Sequence, residues 1–211
     1  MIKTRVEYFA VQKRAIETRE KILRSATELF ARSGMNGTTV DQIAANAGVN
    51  KQRIYAYFGS KEKLFATALA HVFKEAEPFA ETMISEAEAH PEKLTSCLLG
   101  GFKKFHENNP LFWRLLAWAN LEDARLLDGL KDARKTENAA IRKVFDRAGE
   151  LGMLKNISFE QYLFTMLAVP WFLRSNALTL RYTLGYDPLD EAFVSGLFDS
   201  LNALLPEDVA V

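Results

Sequence analysis

Apolar positions recur along most of the chain at spacings of three and four, the period of a helix that buries one face. From about Ala15 to Ser33, the residues Ile22, Ala26, Leu29 and Phe30 fall on one stripe, and Gly34 follows as a helix-stopping residue. Thr39-Val40-Asp41-Gln42 then spells a capping box, in which a hydroxyl and an amide satisfy each other's backbone N–H groups. The short helix it opens buries Val40, Ile43, Ala44 and Ala47 and ends at Gly48. Asn50 caps a third helix of barely two turns, with Ile54 and Phe58 inward. Gly59 closes it, and Ser60 opens a fourth through Leu64, Phe65, Ala68 and Val72, with Glu62 in its first turn.

Beyond residue 80 the pattern predicts longer helices over about 92–107, 110–119, 121–149, 158–183 and 188–204. Breaks fall at His90-Pro91, Asn109-Pro110, Gly149 to Gly152 and Gly185-Tyr186-Asp187-Pro188. Pro170 lies inside the fourth of these spans, where a kink is expected. No β-branched alternating run appears, and Asn36-Gly37 follows a helical pattern instead of joining two strands. The expected fold class is all-α.

Two short helices around a Gly-centred turn, following a longer one, make the helix-turn-helix pattern. Ile43, Ala44, Val49, Ile54 and Phe58 would hold the pair at a steep angle, leaving Lys51, Gln52 and Arg53 free to enter a major groove. Arg and Gln offer paired hydrogen-bonding atoms that match guanine and adenine edges. Tyr55 and Tyr57 flank this face with hydroxyls suited to phosphate oxygens, Lys61 adds a charge at the next helix start, and Thr39 offers a contact from the second helix. Gln42 and Asn50, the capping side chains beside them, complete the candidate DNA-facing set. The rival reading of this block is a three-helix structural unit with no nucleic-acid role.

Charge sharpens this picture. The 211 residues hold 27 Lys+Arg and 27 Asp+Glu, a net charge of zero. Yet residues 1–63 carry 12 basic and 6 acidic groups, whereas the remainder carries 15 and 21. The chain divides into an end that attracts polyanions and a body that repels them. With 48% apolar residues a real core is available, and the lone Cys97 excludes an internal disulfide framework and any multi-cysteine zinc site. The longest apolar stretches, such as Leu163 to Leu173, fall short of the roughly 20 residues that span a bilayer. The start lacks a secretory-type apolar block, so a soluble, cytoplasmic protein with no membrane partner is expected.

The run Thr38-Thr39-Val40-Asp41-Gln42-Ile43-Ala44, then Ala47-Gly48-Val49-Asn50-Lys51, then Ile54-Tyr55-Ala56-Tyr57-Phe58-Gly59-Ser60-Lys61-Glu62-Lys63-Leu64 closely resembles the DNA-binding segment of the TetR (tetracycline-repressor) family. Ile22-Leu23 and Ala26 to Gly34 look like that family's first helix, so the likeness covers about residues 16–70. It implies an all-helical homodimer, a C-terminal ligand-binding domain, and repression released by a small molecule. It also implies that Thr39, Lys51, Gln52, Arg53, Tyr55, Tyr57 and Lys61 face a double-stranded DNA operator. Ala56 stands where several members carry a bulkier polar or aromatic residue. The expected organisation is an arm over 1–14, a helix-turn-helix domain over 15–62 and a ligand-binding and dimerisation domain over 63–211. The arm, basic apart from Glu7, is either a phosphate-touching extension or a frayed terminus.

In the C-terminal part, Leu189, Phe193, Leu197, Leu201 and Leu204 line one face of the last helix, with Gly196 and Ser200 beside them. Paired with the helix before it, this face can build a four-helix interface between two copies, with Phe193, Gly196, Leu197, Ser200 and Leu201 as candidate dimerisation residues. It can equally face its own core. Residues 102–118 are dense in aromatics: Phe102, Phe105, His106, Phe112, Trp113 and Trp118. With Tyr162, Phe164 and Trp171 they offer an apolar pocket for a hydrophobic or aromatic effector, with His106, Asn120 and Arg174 as polar handles, though aromatics at helical spacing also serve as core.

Catalysis finds no constellation. His71, His90 and His106 form no His-Glu-x-x-His pair, Gly100-Gly101 lacks a phosphate-loop Lys, and Glu122-Asp123 is a single acidic pair. Cys97 reads as a small buried residue and not a nucleophile. Neither a catalytic site, a metal nor a cofactor is expected. A ligand-responsive, dimeric DNA-binding repressor is the reading the residues favour. The alternatives are an activator of the same fold and a helical small-molecule-binding or interaction protein without DNA function.

Overall fold

A computed structural model describes residues 5–122, 124–154 and 157–204. Eleven α-helices are described: α1 (Arg5–Ser33), α2 (Val40–Ala47), α3 (Lys51–Phe58), α4 (Lys61–Lys74), α5 (Glu77–Ala89), α6 (Leu94–Asn108), α7 (Pro110–Glu122), α8 (Lys131–Glu150), α9 (Phe159–Ser175), α10 (Ala177–Leu184) and α11 (Glu191–Leu204). Short 3₁₀ turns cover Pro91–Lys93 and Ala124–Leu130, and no strand occurs among the described residues.

Two compact units emerge, and they do not follow a single cut after residue 62. The first joins the chain through Lys74 with Arg114–Leu130, and the second joins Glu75–Trp113 with the chain from Lys131 onward. The reason is the packing of α4: its Leu64, Phe65, Ala68 and Leu69 are wholly buried in the first unit, with the Phe65 and Phe30 rings 5.1 Å apart. That core continues through Ile22 and Ala26 of α1, Ile43 of α2, Ile54 of α3 and Leu115 and Ala119 of α7. The second unit is built round Leu98, Leu99, Phe102, Ile141, Val144, Tyr162 and Met166. The buried Tyr162 hydroxyl meets Thr95 Oγ1 at 2.9 Å, so its polar atom is satisfied.

Several elements differ from expectation. The first helix begins at Arg5, because residues 5–14 contain neither Gly nor Pro and simply extend it; of the expected arm, residues 1–4 lie outside the described residues. Helix α5 has no counterpart in the pattern, since it buries only Met83 and Ala87 between acidic and small polar residues. The span over 121–149 is a 3₁₀ segment followed by α8. The span over 158–183 is two helices meeting at 84°, broken at Asn176 and not at Pro170. Pro170 is buried inside α9, where its ring is held by packing. Asn176 ends the helix, its N–H donating to the Phe172 carbonyl and its amide to Ser175 Oγ, the local side-chain competition that Ser and Asn favour. The last helix starts at Glu191, three residues past Pro188, because Asp190 Oδ1 accepts from the Ala192 and Phe193 N–H groups. No single helix among the described residues is long and apolar enough to cross a membrane.

Among the described residues of the second unit, His106 is the one buried basic side chain, only 6% exposed, with Nδ1 lacking a hydrogen-bond partner. Burial, reinforced by the Arg134 and Arg174 charges, pushes its pKa down to about 4. The unfolded chain takes up this proton near pH 6.5, but the native state does so only near 4. Stability contributed by the neutral ring is therefore complete above about pH 6.5 and is lost as pH falls towards 4, by on the order of 3 kcal/mol. Urea denaturation of His106→Phe should show less acid destabilisation than the parent across that window. Equal acid slopes for the two proteins would refute the assignment.

Candidate nucleic-acid interface

The turn between α1 and α2 sets the site. Gly34 ends α1 at φ +72°, where a Cβ would lie 2.4 Å from Glu122 Oε1 and under 3 Å from the Trp118 ring. The Glu122 carboxylate then accepts from the Met35 N–H at 3.0 Å and the Asn36 N–H at 3.1 Å. From the other side, Lys61 Nζ donates to the carbonyls of Met35 at 2.8 Å and Thr38 at 3.2 Å. Buried Thr38 donates to the Gly34 carbonyl at 2.7 Å. Such charge-assisted bonds fix the turn more firmly than neutral ones.

Out of this turn rises α2 with the expected capping box. The Thr39 N–H donates to Gln42 Oε1 at 2.8 Å, and the Gln42 N–H donates to Thr39 Oγ1 at 3.2 Å. Gly48 takes the left-handed conformation (φ 65°), and the Val49 N–H returns to the Ala44 carbonyl at 3.0 Å, closing α2 in a few atoms. Asn50 Oδ1 accepts from the Arg53 N–H at 2.9 Å and starts α3. Ile54 and Phe58 anchor α3 inward, and the Arg19 guanidinium lies 5.1 Å from the Phe58 ring centroid.

The outer face of α3 is left to solvent. Lys51, Gln52, Arg53 and Tyr55 are exposed, and Tyr57 is half-buried beside them. Lys51 Nζ sits 2.9 Å from Asp41 Oδ2, and that hydrogen bond holds its pKa above the ordinary lysine value. Thr39, Gln42 and Asn50 are exposed as well, their side chains engaged in the caps. Lys61 is half-buried, with two donors committed to the turn.

The family model described as "Bacterial regulatory proteins, tetR family" matches residues 22–68, and that described as "Tetracyclin repressor-like, C-terminal domain" matches residues 91–201. The chain belongs to the TetR family of transcriptional regulators. Among its relatives is the HTH-type transcriptional repressor NicS of Pseudomonas putida, 29% identical over 181 residues, 84% of this chain and 85% of that protein. The HTH-type transcriptional repressor SCO4008 of Streptomyces coelicolor is 33% identical over 105 residues, half of each chain. A crystal structure of the transcriptional regulator SCO4942 from Streptomyces coelicolor superposes with TM-score 0.65 at 26% identity, covering 90% of this chain and 98% of the other.

Within this TetR-family chain, the sequence-predicted effector residues are only partly brought together. Phe105, His106 and Trp171 meet in the second unit, the His106 ring 5.8 Å from Trp171 and Phe105 4.7 Å from Phe112. Phe102 is buried in the neighbouring core. Trp113 is half-buried in the same unit, Phe164 is 72% exposed on the outside of α9, and Trp118 belongs to the first unit, against Gly34. The rings that meet pack edge to face as core does, and the void beside His106 is about the size of one water, ≈ 20 Å³. A larger cleft, ≈ 510 Å³, lies instead between α5 and α6. Of the candidate dimerisation residues, Gly196 and Ser200 are exposed, and Leu197 is half-buried. Phe193 meets Tyr186 edge to face with ring centroids 5.2 Å apart, and Leu201 leans on the core.

Sequence reasoning missed Glu122 as a member of the site, because its partners are 86 and 87 residues away and nothing local marks it. Glu122→Gln, which leaves one acceptor oxygen where two are needed, should cost about 1–3 kcal/mol and weaken DNA binding without touching α3. Gly34→Ala should lower Tm by several degrees for its added Cβ and positive φ. Thermal denaturation checks both, and an unchanged Tm for both would show that the turn is not held in this way.

Proposed function

We propose that this regulator is a homodimeric repressor whose two α3 helices read the halves of a near-palindromic operator, and that a small hydrophobic or aromatic effector bound in the C-terminal part releases it. The observation that carries the DNA-reading role is the division of α3 itself: Ile54 and Phe58 are buried, while Lys51, Gln52, Arg53 and Tyr55 are exposed around the small Ala56. Gln52 and Arg53 read base edges. Lys51, Tyr55, Tyr57 and Thr39 hold phosphates, with Gln42 and Asn50 pinning the helix starts and Lys61 keeping one donor for the backbone beyond its two turn contacts.

Two copies are needed because one two-turn helix makes few base contacts. Two such helices about 34–36 Å apart engage one face of the duplex. The surface that supports self-association lies on α9 and α10, where Phe164, Phe172, Leu178 and Tyr182 are exposed, Tyr182 at 90%. Exposed apolar side chains at this density mark an interaction surface. Gly196, Leu197 and Ser200 of α11 add a small-residue face of the kind helices use for close approach.

Duplex-binding titrations should give a log affinity that falls linearly with log salt, and Lys51→Ala should reduce that slope by about one. Arg53→Ala should cost about 1–3 kcal/mol on the operator and little on random duplex. Tyr55→Phe should weaken both alike. A flat salt slope in the parent would instead favour a ligand-binding protein without DNA function. Leu178→Glu with Tyr182→Glu should yield monomers in sedimentation and abolish operator binding; retained dimers would place the interface elsewhere. In a reporter strain, deletion should raise expression of the target, and a fall would make the protein an activator.

A further inference from the structure

Helices α5 and α6 pack antiparallel, as the contacts show. Phe79 lies against Phe105 with ring centroids 5.8 Å apart, while Met83, one turn later on α5, lies against Gly101, one turn earlier on α6. Their outer sides enclose the open cleft of ≈ 510 Å³, a volume in the range of roughly 300–1,000 Å³ typical of small-molecule sites. None of the aromatic positions proposed from sequence lines it.

Two adjacent glycines form the middle of its α6 wall, and they have different explanations. At Gly101 a Cβ would lie 2.5 Å from Met83 Sδ, so close approach of α5 requires glycine. At Gly100 a Cβ would meet nothing within 4 Å, and its φ is not positive. A glycine inside a helix costs about 1 kcal/mol relative to alanine. No turn or contact compensates that cost at Gly100. What its missing side chain does is leave the wall of the cleft bare, with Met83 and Phe79 opposite.

The charges lining the cleft are unequal at its two ends. Glu86, Glu92 and Lys93 all act on the Cys97 thiol, so that end contains both signs. The far end carries Lys104, beside Pro78 and Phe79. Beside it Lys103 bridges Glu107 at 3.3 Å and Glu191 at 3.2 Å, while Glu77 and Glu81 of α5 flank the same end outside the lining of the cleft. Lys104 therefore offers a cation at the end of an apolar trough, about 10 Å along the helix from Cys97.

We propose that this cleft binds a small amphipathic monoanion, its carboxylate at Lys104 and its hydrocarbon chain across Gly100 and Gly101 against Met83 and Phe79. That this ligand is the effector rests on the regulator reading above; that it binds does not. An apolar chain buries area on Met83 and Phe79, and the Lys104 ammonium, unlike Lys93 among the acids of the other end, fixes its direction and rejects cations.

Decanoate is the probe, with decan-1-ol and decylamine as neutral and cationic molecules of the same chain length, added to the full chain. Decanoate should raise Tm saturably and slow alkylation of Cys97 by iodoacetamide, with decanol weaker and decylamine weakest. Lys104→Gln should weaken decanoate by about tenfold, roughly 1.4 kcal/mol, and leave decanol unchanged. Gly100→Leu should fill the trough and abolish binding while circular dichroism stays native. If that variant does not fold, Lys104→Gln, a surface change, decides alone. The proposal is overturned if decylamine binds as tightly as decanoate, if either folded variant keeps the parent's decanoate affinity, or if decanoate leaves Tm and Cys97 alkylation unchanged. Retained salt-dependent DNA binding alongside such a failure leaves the regulator reading intact. Loss of DNA binding in the parent alongside decanoate binding does the opposite.

Discussion

A turn of six residues, 34–39, is the constraint on which the DNA-binding unit depends. Only its two ends join helical hydrogen bonds, the Gly34 N–H to Phe30 and the Thr39 carbonyl from Ile43, so the donors and acceptors between must find other partners or water. Glu122 takes two N–H groups and Lys61 two carbonyls, one ion of each sign on opposite sides of the same short segment. Each such bond stabilises by roughly 1.5–3 kcal/mol when charge is involved, well above an exposed ion pair. The direction of α2 follows from the turn. The direction of α3 follows from α2 through the three residues at 48–50, which leave almost no conformational freedom. A recognition helix only two turns long cannot hold its own orientation; it inherits it.

The parts that were legible in the sequence are those whose specification is local. Thr39 with Gln42, Gly48 and Asn50 each determine a helix end through neighbours within five residues, and the structure has these ends where the residue types put them. Buried faces of α2 and α3 were likewise readable, because Val40, Ile43, Ile54 and Phe58 have no competing apolar side. The parts that were not legible depend on distant packing. In α5, Met83 and Ala87 become a buried stripe only through tertiary packing, Met83 against Gly101 of α6. Pro170 stays inside α9, as a kink-forming position within one helix would, while the end of that helix at Asn176 comes without any proline to signal it. The structural part of Lys61 was not legible either, because its carbonyl partners lie 23 and 26 residues upstream, beyond any local pattern.

Aromatic density misleads in the search for a binding cavity, for a physical reason. Large rings fill space and bury more area than any other side chain, so a run such as Phe102, Phe105, Phe112 and Trp113 is what a close-packed interior recruits. A cavity arises where volume is missing. Here that is the Gly100–Gly101 pair, which reads as nothing in a scan for chemistry-bearing residues. The same logic accounts for His106: surrounded by rings and by the charges of Arg134 and Arg174, it is a ring among rings, kept neutral by its setting.

The balance of charge on the DNA-facing side is smaller than a count of residues implies. Six excess positive charges in the first 63 residues include Lys61, turned towards its own backbone, and Lys51, paired with Asp41. A pair this exposed is weak, so a phosphate can displace Asp41 from Lys51 at little cost. Asp41 then becomes an anion facing an anion and opposes tight binding wherever the duplex is not held by better contacts. On the function proposed above, non-specific affinity is thereby kept low, and operator affinity comes from Gln52 and Arg53 fitting the base edges in both half-sites at once. For the dimer proposed above, a net-neutral chain with such a surface would bind DNA through fit more than through charge, and any change that disturbs the spacing of the two α3 helices would remove most of that fit.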